Sequence, residues 1–319
     1  MISAGTFLRA DVVLLIDMSI DAEPRFDLAN ARAIGSDAWL KTKLDHPEDV
    51  AVTDEGLLYA GGEDGDIYRV DPASNTVEVF GSTGGSVLGV ALGPEGDLYT
   101  CDFQRHAVYR LPLADDRPVG PPEKHVAGGP DAPPLHPNYA AFDREGRLYV
   151  SDSGQREKLP GPFDDSDGCI YVVDPDGSRR VLTDELSAFP NGIALSADDE
   201  TLYVCETGTH SISAVHLDGG HATGIELVTD ECGMVDGLAL DDEERLYVAS
   251  IGDDAVYRYD DGDLELLVHD ETGLTINNPT NVAFGGPDMQ TLYVANLALW
   301  HLTAIDIDAT GRHPTGRLG

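Results

Sequence analysis

The stretch Pro47–Gly62, PEDVAVTDEGLLYAGG, returns five more times along the chain in altered form. One residue precedes a short apolar run, a polar turn follows, and a Leu-Tyr pair lies in a second apolar run. The later copies contain LGVALGPEGDLYTCD, NYAAFDREGRLYVSD, NGIALSADDETLYVCE, DGLALDDEERLYVAS and TNVAFGGPDMQTLYVAN. The recurrent position is occupied by Glu48, Leu88, Asn138, Asn191, Asp236 and Thr280, at spacings of 40, 50, 53, 45 and 44 residues. Repeats of that length, each holding several strand-like runs, are the period of propeller blades.

Within a repeat the pattern predicts four strands. The first follows the recurrent position (Val50–Val52, Ile193–Leu195) and the second is the Leu-Tyr run (Leu57–Ala60, Leu148–Val150, Leu246–Ala249). A third apolar-aromatic run follows at Ile67–Val70, Val108–Leu111, Ile170–Val173, Ile212–Val215, Val256–Tyr259 and Leu302–Ile305. A shorter fourth run is read at Val77–Phe80, His125–Ala127, Arg180–Leu182, Glu226–Val228 and Leu264–Val268. Glu-Gly and Asp-Glu pairs between the first two strands suit tight hairpins. The sixth repeat has no fourth run, and an open ring would leave unpaired strand edges. An N-terminal strand is therefore expected to close it, with Ala31–Ile34 first in line and Val12–Ile16 second. The predicted fold is an all-β, six-bladed propeller of four-stranded antiparallel blades. It forms one domain over residues 1–319, with 1–46 supplying the closing strand and 47–310 the repeats.

The first strand of a propeller blade lines the central channel, so the recurrent positions form a ring about the axis. Glu48, Asn138, Asn191 and Asp236 bring two carboxylates and two carboxamides to that ring, with no sulfur or imidazole among them. Oxygen donors of this kind suit one divalent cation, Ca²⁺ first, with Mg²⁺, Mn²⁺ or Zn²⁺ as alternatives. Singly, such residues often cap strand starts by bonding local backbone. Four in one register, buried together, would be costly without a cation or a dense hydrogen-bond network. Leu88 and Thr280 read as the gap in the ring, on the side where a substrate would approach.

The loops expected beside the same mouth carry Arg105 and His106 in repeat two, His210 in repeat four and Trp300 in repeat six, all candidate substrate contacts. A long insertion in repeat three, from Ser153 to Gly168, holds Gln155, Arg156 and Lys158 and reads as a lid. Its Asp164–Gly168 end lacks the spacing of an EF-hand loop and reads as a solvated acidic turn.

Composition narrows the partners. The chain has 58 acidic and 20 basic residues, a formal charge of −38. Such a surface repels phosphate backbones and anionic lipid, so neither nucleic acid nor membrane is an expected partner. The acids are spread along the whole chain, as in a protein working in high salt. Cys101, Cys169, Cys205 and Cys232 form no CxxC pair and read as buried thiols of a reducing compartment. The N-terminus has no basic region ahead of its short apolar run, so a cytoplasmic location is expected. No GxSxG elbow, P-loop, GxGxxG or HExxH is present, which removes support for serine-hydrolase and nucleotide-dependent chemistry.

From about Pro47 to Asp306 the chain resembles the senescence marker protein, gluconolactonase and luciferin-regenerating enzyme family of six-bladed propellers. The resemblance is carried by PED at Glu48, FPNGIALSADDETLYV around Asn191, VDGLALDDEERLYVAS around Asp236 and NVAFGGPDMQTLYVAN near the end. It implies that Glu48, Asn191 and Asp236 bind a catalytic divalent metal, that Asn138 contacts metal or substrate, and that Asp236 acts as general base, or as nucleophile as in the related diisopropylfluorophosphatase. Lactonases of that family often carry an arginine two residues before the match to Asn138. Here that place is His136, a further candidate substrate contact. PEDVAVTDEGLLYAG, LGVALGPEGDLYTCD and FPNGIALS are also similar to motifs of the strictosidine synthase-like propellers.

The expected activity is metal-dependent hydrolysis of a small-molecule lactone, gluconolactonase-like, most simply a sugar-acid lactone. The alternatives are an arylesterase or organophosphate hydrolase with the same centre, or a propeller that only binds partners. Nothing in the sequence states the oligomeric state.

Overall fold

The computed structural model describes residues 22–36, 43–128, 135–154 and 166–312. Among these the strands form six four-stranded antiparallel sheets and one two-stranded ribbon, Leu113–Ala114 with Arg117–Pro118. The one helical element among them is the 3-10 turn Leu28–Asn30, and no helix is long and apolar enough to cross a membrane.

Blades 1 to 5 are each built from consecutive strands. Blade 1 comprises Val50–Val52, Leu58–Gly61, Asp66–Asp71 and Thr76–Ser82, and blade 2 Val87–Leu92, Leu98–Asp102, Ala107–Leu111 and Glu123–Ala127. Blade 3 comprises Pro137–Phe142, Leu148–Asp152, Cys169–Val173 and Arg179–Thr183. Blade 4 comprises Pro190–Leu195, Thr201–Glu206, Ser211–Asp218 and His221–Thr229. Blade 5 comprises Val235–Leu240, Leu246–Ser250, Ala255–Asp260 and Asp263–His269. Blade 6 has only three consecutive strands, Pro279–Gly285, Thr291–Asn296 and Leu302–Asp306. Its outer strand is Arg32–Ile34, from the other end of the chain, with Arg32 opposite Ala304 and Ile34 opposite Leu302.

The predicted clasp is therefore present at the first of the two expected places, while Val12–Ile16 lies outside the described residues. Burial explains why the closure holds. Ile34 packs with Leu44, Val50, Tyr68, Tyr293 and Leu302 in one core spanning blades 6 and 1. Removing that apolar surface from water outweighs the weak exposed pair of Arg32 with Asp306.

The first strands of successive blades contact one another all the way round, which places them innermost. Between the first and second strands each blade makes the same turn. Gly56, Gly96 and Gly146 take positive φ there (81°, 84° and 80°) and return an N–H to the carbonyl three residues back. In blades 4 to 6 the same place holds Asp199, Glu244 and Met289, also at positive φ (62°, 64° and 53°). Glycine adopts this conformation without steric cost, so the first three turns are the better matched.

A second device repeats at the end of the second strand. Asp102, Asp152, Glu206 and Asn296 accept hydrogen bonds from the backbone N–H groups of Ser86, His136, Ala188 and Asn277 (3.1, 3.1, 3.0 and 3.1 Å). Each ties down the loop that delivers its own blade's first strand to the axis, so these capping acceptors position the ring.

Candidate metal centre

At the ring positions the inner strands leave regular pairing. The register between first and second strands shifts across Leu88, Asn138, Asn191, Asp236 and Thr280 alike. In blade 1 pairing begins at Val50, just past Glu48. A bulge bends its strand and re-aims a side chain, so the same local irregularity repeats at five of the six positions that converge, those of blades 2 to 6.

Close backbone approach holds the bulges together. A Cβ on Gly192 would lie 2.4 Å from the Cα of Gly237 and 2.6 Å from the Asp236 carbonyl oxygen. One on Gly89 would lie 2.4 Å from the Asn138 carbonyl oxygen, and one on Gly237 2.5 Å from that of Thr280. Each glycine follows a ring residue and lets the next blade's ring residue approach. The other three places in this second circle hold Asp49, Tyr139 and Asn281. Tyr139 fills space that the glycines leave: its hydroxyl donates to the Glu48 carbonyl oxygen (2.9 Å), with that of Thr280 at 3.1 Å. A blade 3 side chain thus reaches across the axis to blades 1 and 6.

Asn138, Asn191 and Asp236 are buried, at 3%, 4% and 6% exposure. Two hydroxyls orient the amides. Asn138 Nδ2 donates to Ser153 Oγ (2.9 Å), which donates to the Pro190 carbonyl oxygen (2.8 Å). Asn191 Nδ2 donates to Thr207 Oγ1 (3.0 Å), which donates to the Val235 carbonyl oxygen (2.9 Å). A hydroxyl has a single hydrogen. With it spent on a carbonyl, Ser153 and Thr207 can only accept from the asparagines, which fixes the nitrogen outward and leaves Oδ1 as the free end. Asn138 Oδ1 and Asn191 Oδ1 are both buried without a hydrogen-bond partner.

The electrostatics are unfavourable for the bare groups. Burial pushes the Asp236 carboxyl well above its usual range, the negative charges of Glu48 and Asp49 push it further, and the neighbouring Asn191 amide opposes them. Burial also raises Asp49, to about 7, although N–H groups of Val90 (2.6 Å) and Val50 (2.7 Å) and the Asn281 amide donate to it. Crowded carboxylates beside outward-locked amides suit a hard cation, since buried like charges are otherwise costly. The residues present therefore fit an oxygen-ligated dication.

The sequence-level candidates around the mouth divide into groups. His106 and His136 meet edge to face (ring centroids 4.6 Å apart), Phe103 lies 5.4 Å from His136, and His106 Nδ1 is 2.9 Å from the Leu135 carbonyl oxygen. His136 stands two residues ahead of Asn138. Arg105 spends Nε and Nη2 on the Gly84 carbonyl oxygen (3.2 and 2.7 Å). His210 is half-buried with φ 58°, matching His106 at 57° in the equivalent hairpin. Trp300, 43% exposed, joins another cluster: Lys43 Nζ lies 4.0 Å over its ring and His46 is 5.4 Å away. There His46 Nδ1 is 3.1 Å from Asp45 Oδ1 and 3.6 Å from Glu63 Oε2. Gln155, Arg156, Lys158, Asp164 and Asp165 lie outside the described residues.

Sequence reasoning did not single out Ser153, Thr207, Asp49 or Tyr139. A signal was available for the first two. The residue after the capping acceptor is a hydroxyl in repeats three and four, the two whose ring residue is asparagine. The four cysteines are free thiols, and burial raises their pKa.

Comparison with known proteins is consistent with this architecture. The SMP-30/gluconolactonase/LRE-like family model matches residues 48–298. Regucalcin from Xenopus laevis is 29% identical over 179 residues, 52% of this chain and 56% of that protein, so the chain spans little more than half of that relative. A pentonolactonase from Haloferax volcanii is 26% identical over 254 residues, 78% of each chain. Among solved structures, a calcium-binding regucalcin from Agrobacterium tumefaciens superposes with a TM-score of 0.69, covering 87% of this chain and 95% of that one at 23% identity.

Proposed function

This chain belongs to the SMP-30/gluconolactonase/LRE-like family, and from that membership we propose that it is a divalent-metal-dependent lactonase. The observation that carries the proposal is the pair of buried, outward-locked carboxamides, Asn138 and Asn191, whose Oδ1 atoms have no protein partner. With Glu48 and Asp236 they would hold the cation, Ca²⁺ by donor type. A dication held there supplies positive charge to polarise a lactone carbonyl and to lower the pKa of a water.

The protein's own groups do the rest. Asp236 accepts the proton of the attacking water, whose oxygen bonds to the ring carbonyl carbon. The carbonyl carbon–ring oxygen bond then breaks, and the ring oxygen takes a proton to give the open hydroxy acid. Burial and the charges of Glu48 and Asp49 make Asp236 a stronger base, and a nearby cation opposes them. Tyr139 blocks the axis behind the ring, so substrate enters from the face bearing His106 and His136. The substrate class we propose is a sugar-acid lactone, supported by the likeness to the Haloferax volcanii pentonolactonase.

A lactone panel assayed with and without chelator tests the reading, with phenyl acetate and a fluorophosphate as competing ester classes. The expected result is lactone opening that stops on chelation and returns with Ca²⁺. Asp236→Asn should lower turnover by on the order of 10³-fold while retaining some calcium binding. Full activity in that variant, or turnover indifferent to chelator, would overturn the proposal.

A further inference from the structure

The ring position of blade 6 carries a polar group that the four-ligand reading leaves unused. Thr280 is 1% exposed and its Oγ1 has no hydrogen-bond partner. It stands at the same bulged place as Asn138, Asn191 and Asp236, across which the strand register shifts. In cyclic order it lies between Asp236 of blade 5 and Glu48 of blade 1. A hydroxyl there would ordinarily donate to one of those carboxylates, yet it bonds neither. The Thr280 carbonyl oxygen lies 3.1 Å from the Tyr139 hydroxyl, which reaches it from the opposite side of the axis.

We propose that the Thr280 hydroxyl is a fifth oxygen donor of the ring, facing the cation from the sector between the two carboxylates. The proposal rests on the reading of the ring as a cation site and changes its shape. Five contiguous positions, from Asn138 round to Glu48, then present oxygen. Leu88 alone is apolar, and the approach for substrate narrows to the blade 2 side. Calcium accepts neutral oxygen ligands in irregular arrangements, so a hydroxyl suits this place.

The group's burial gives the test two readouts of opposite sign. An unpartnered buried hydroxyl destabilises the cation-free protein, so Thr280→Val, nearly the same shape without the oxygen, should leave its unfolding midpoint unchanged or higher. The same variant should weaken Ca²⁺ binding, measured by titration calorimetry on the full chain, by about tenfold. Thr280→Ser should keep wild-type affinity. Thr280→Ala, which needs no extra room, provides the same contrast with Ser if Val packs badly. Equal Ca²⁺ affinity in the Val, Ala and Ser variants would overturn the proposal while leaving the cation site standing. A lower cation-free midpoint in Thr280→Val but not in Thr280→Ser would also count against it, by revealing a protein partner for the hydroxyl. Failure of the wild-type protein to bind Ca²⁺ would instead overturn the cation reading, and this inference with it.

Discussion

Thr207 and Ser153 touch neither the axis nor each other, yet they decide which atom of each asparagine faces inward. Without the hydroxyl, an amide can turn and present its NH₂ group, which repels a cation. Thr207→Val should therefore lower Ca²⁺ affinity by about tenfold, since one neutral donor is lost and the Val235 carbonyl loses its donor. Thr207→Ser should restore binding, because it keeps both bonds of the relay. The readout is the calcium dissociation constant, and equal affinity in the two variants would show that the relay does not set the amide. Ser153 does the same for Asn138 through the Pro190 carbonyl (2.8 Å). This relay could not be read from spacing alone. Each hydroxyl bonds the carbonyl of the following blade, 37 residues on for Ser153 and 28 for Thr207, so its role exists only once the blades are closed. The ring residues themselves were legible because they share one register in every repeat.

The innermost strand of each blade works as a presenting element, and its accuracy depends on the loop that leads into it. In blade 3 that loop is held by Asp152, which accepts from His136 N (3.1 Å) and Gly154 N (3.0 Å). Burial is the main influence on its carboxyl and raises it from 3.8 to about 6, more than these donors lower it. The folded chain thus binds this proton more tightly than the unfolded chain. The stability linked to Asp152 is fully present below about pH 4 and is lost as pH rises through about 6. A shift of this size corresponds to roughly 3 kcal/mol across that window. Asp152→Asn keeps an acceptor oxygen for both N–H groups and removes the titration. In chelator, denaturant midpoints of the variant should be flatter than wild type between pH 4 and 6, and an unchanged slope would exclude Asp152 as its source. At this scale the sequence was most informative. Apolar runs placed the third strand of every blade, and the missing fourth run of repeat six pointed to a clasp at Ala31–Ile34, found at Arg32–Ile34. The first strands of blades 2 to 6 begin ahead of the recurrent position and not after it. The bulges stayed hidden, because nothing in the residue pattern at Leu88, Asn138, Asn191, Asp236 or Thr280 marks a shift of register. Tyr139 likewise reads as an ordinary strand aromatic, and only the opposite blades reveal its reach across the axis.

At the scale of the whole molecule, the net charge of −38 acts on every blade at once. The 20 basic residues cannot pair 58 acidic ones, and several arginines are already committed within or between blades. Arg147 pairs with Asp143 and Arg245 with Asp241 (2.6 Å each), Arg144 with Asp199 (2.9 Å), and Arg312 with Glu244 (2.6 Å). Two of these repeat one motif, in which a fully buried aspartate also accepts from the tyrosine of the Leu-Tyr pair, Tyr149 or Tyr247 (3.3 and 3.1 Å). The remaining acids repel one another across the surface, and closing the ring concentrates that repulsion. Salt screens it: the Debye length falls from about 10 Å at 0.1 M to about 3 Å at 1 M. The cation-free protein should therefore gain stability with KCl, its thermal midpoint rising on the order of 5 °C between those concentrations. Chloride salts keep the test on screening, because strongly excluded anions such as sulfate stabilise most proteins through apolar burial. Equal ionic strengths of KCl, NaCl and choline chloride should give matching curves, since screening depends on charge and not on ion identity. A flat or falling midpoint would show that the acidic surface costs the fold little. A rise with only one cation would point to specific binding sites on the acidic face in place of a general field.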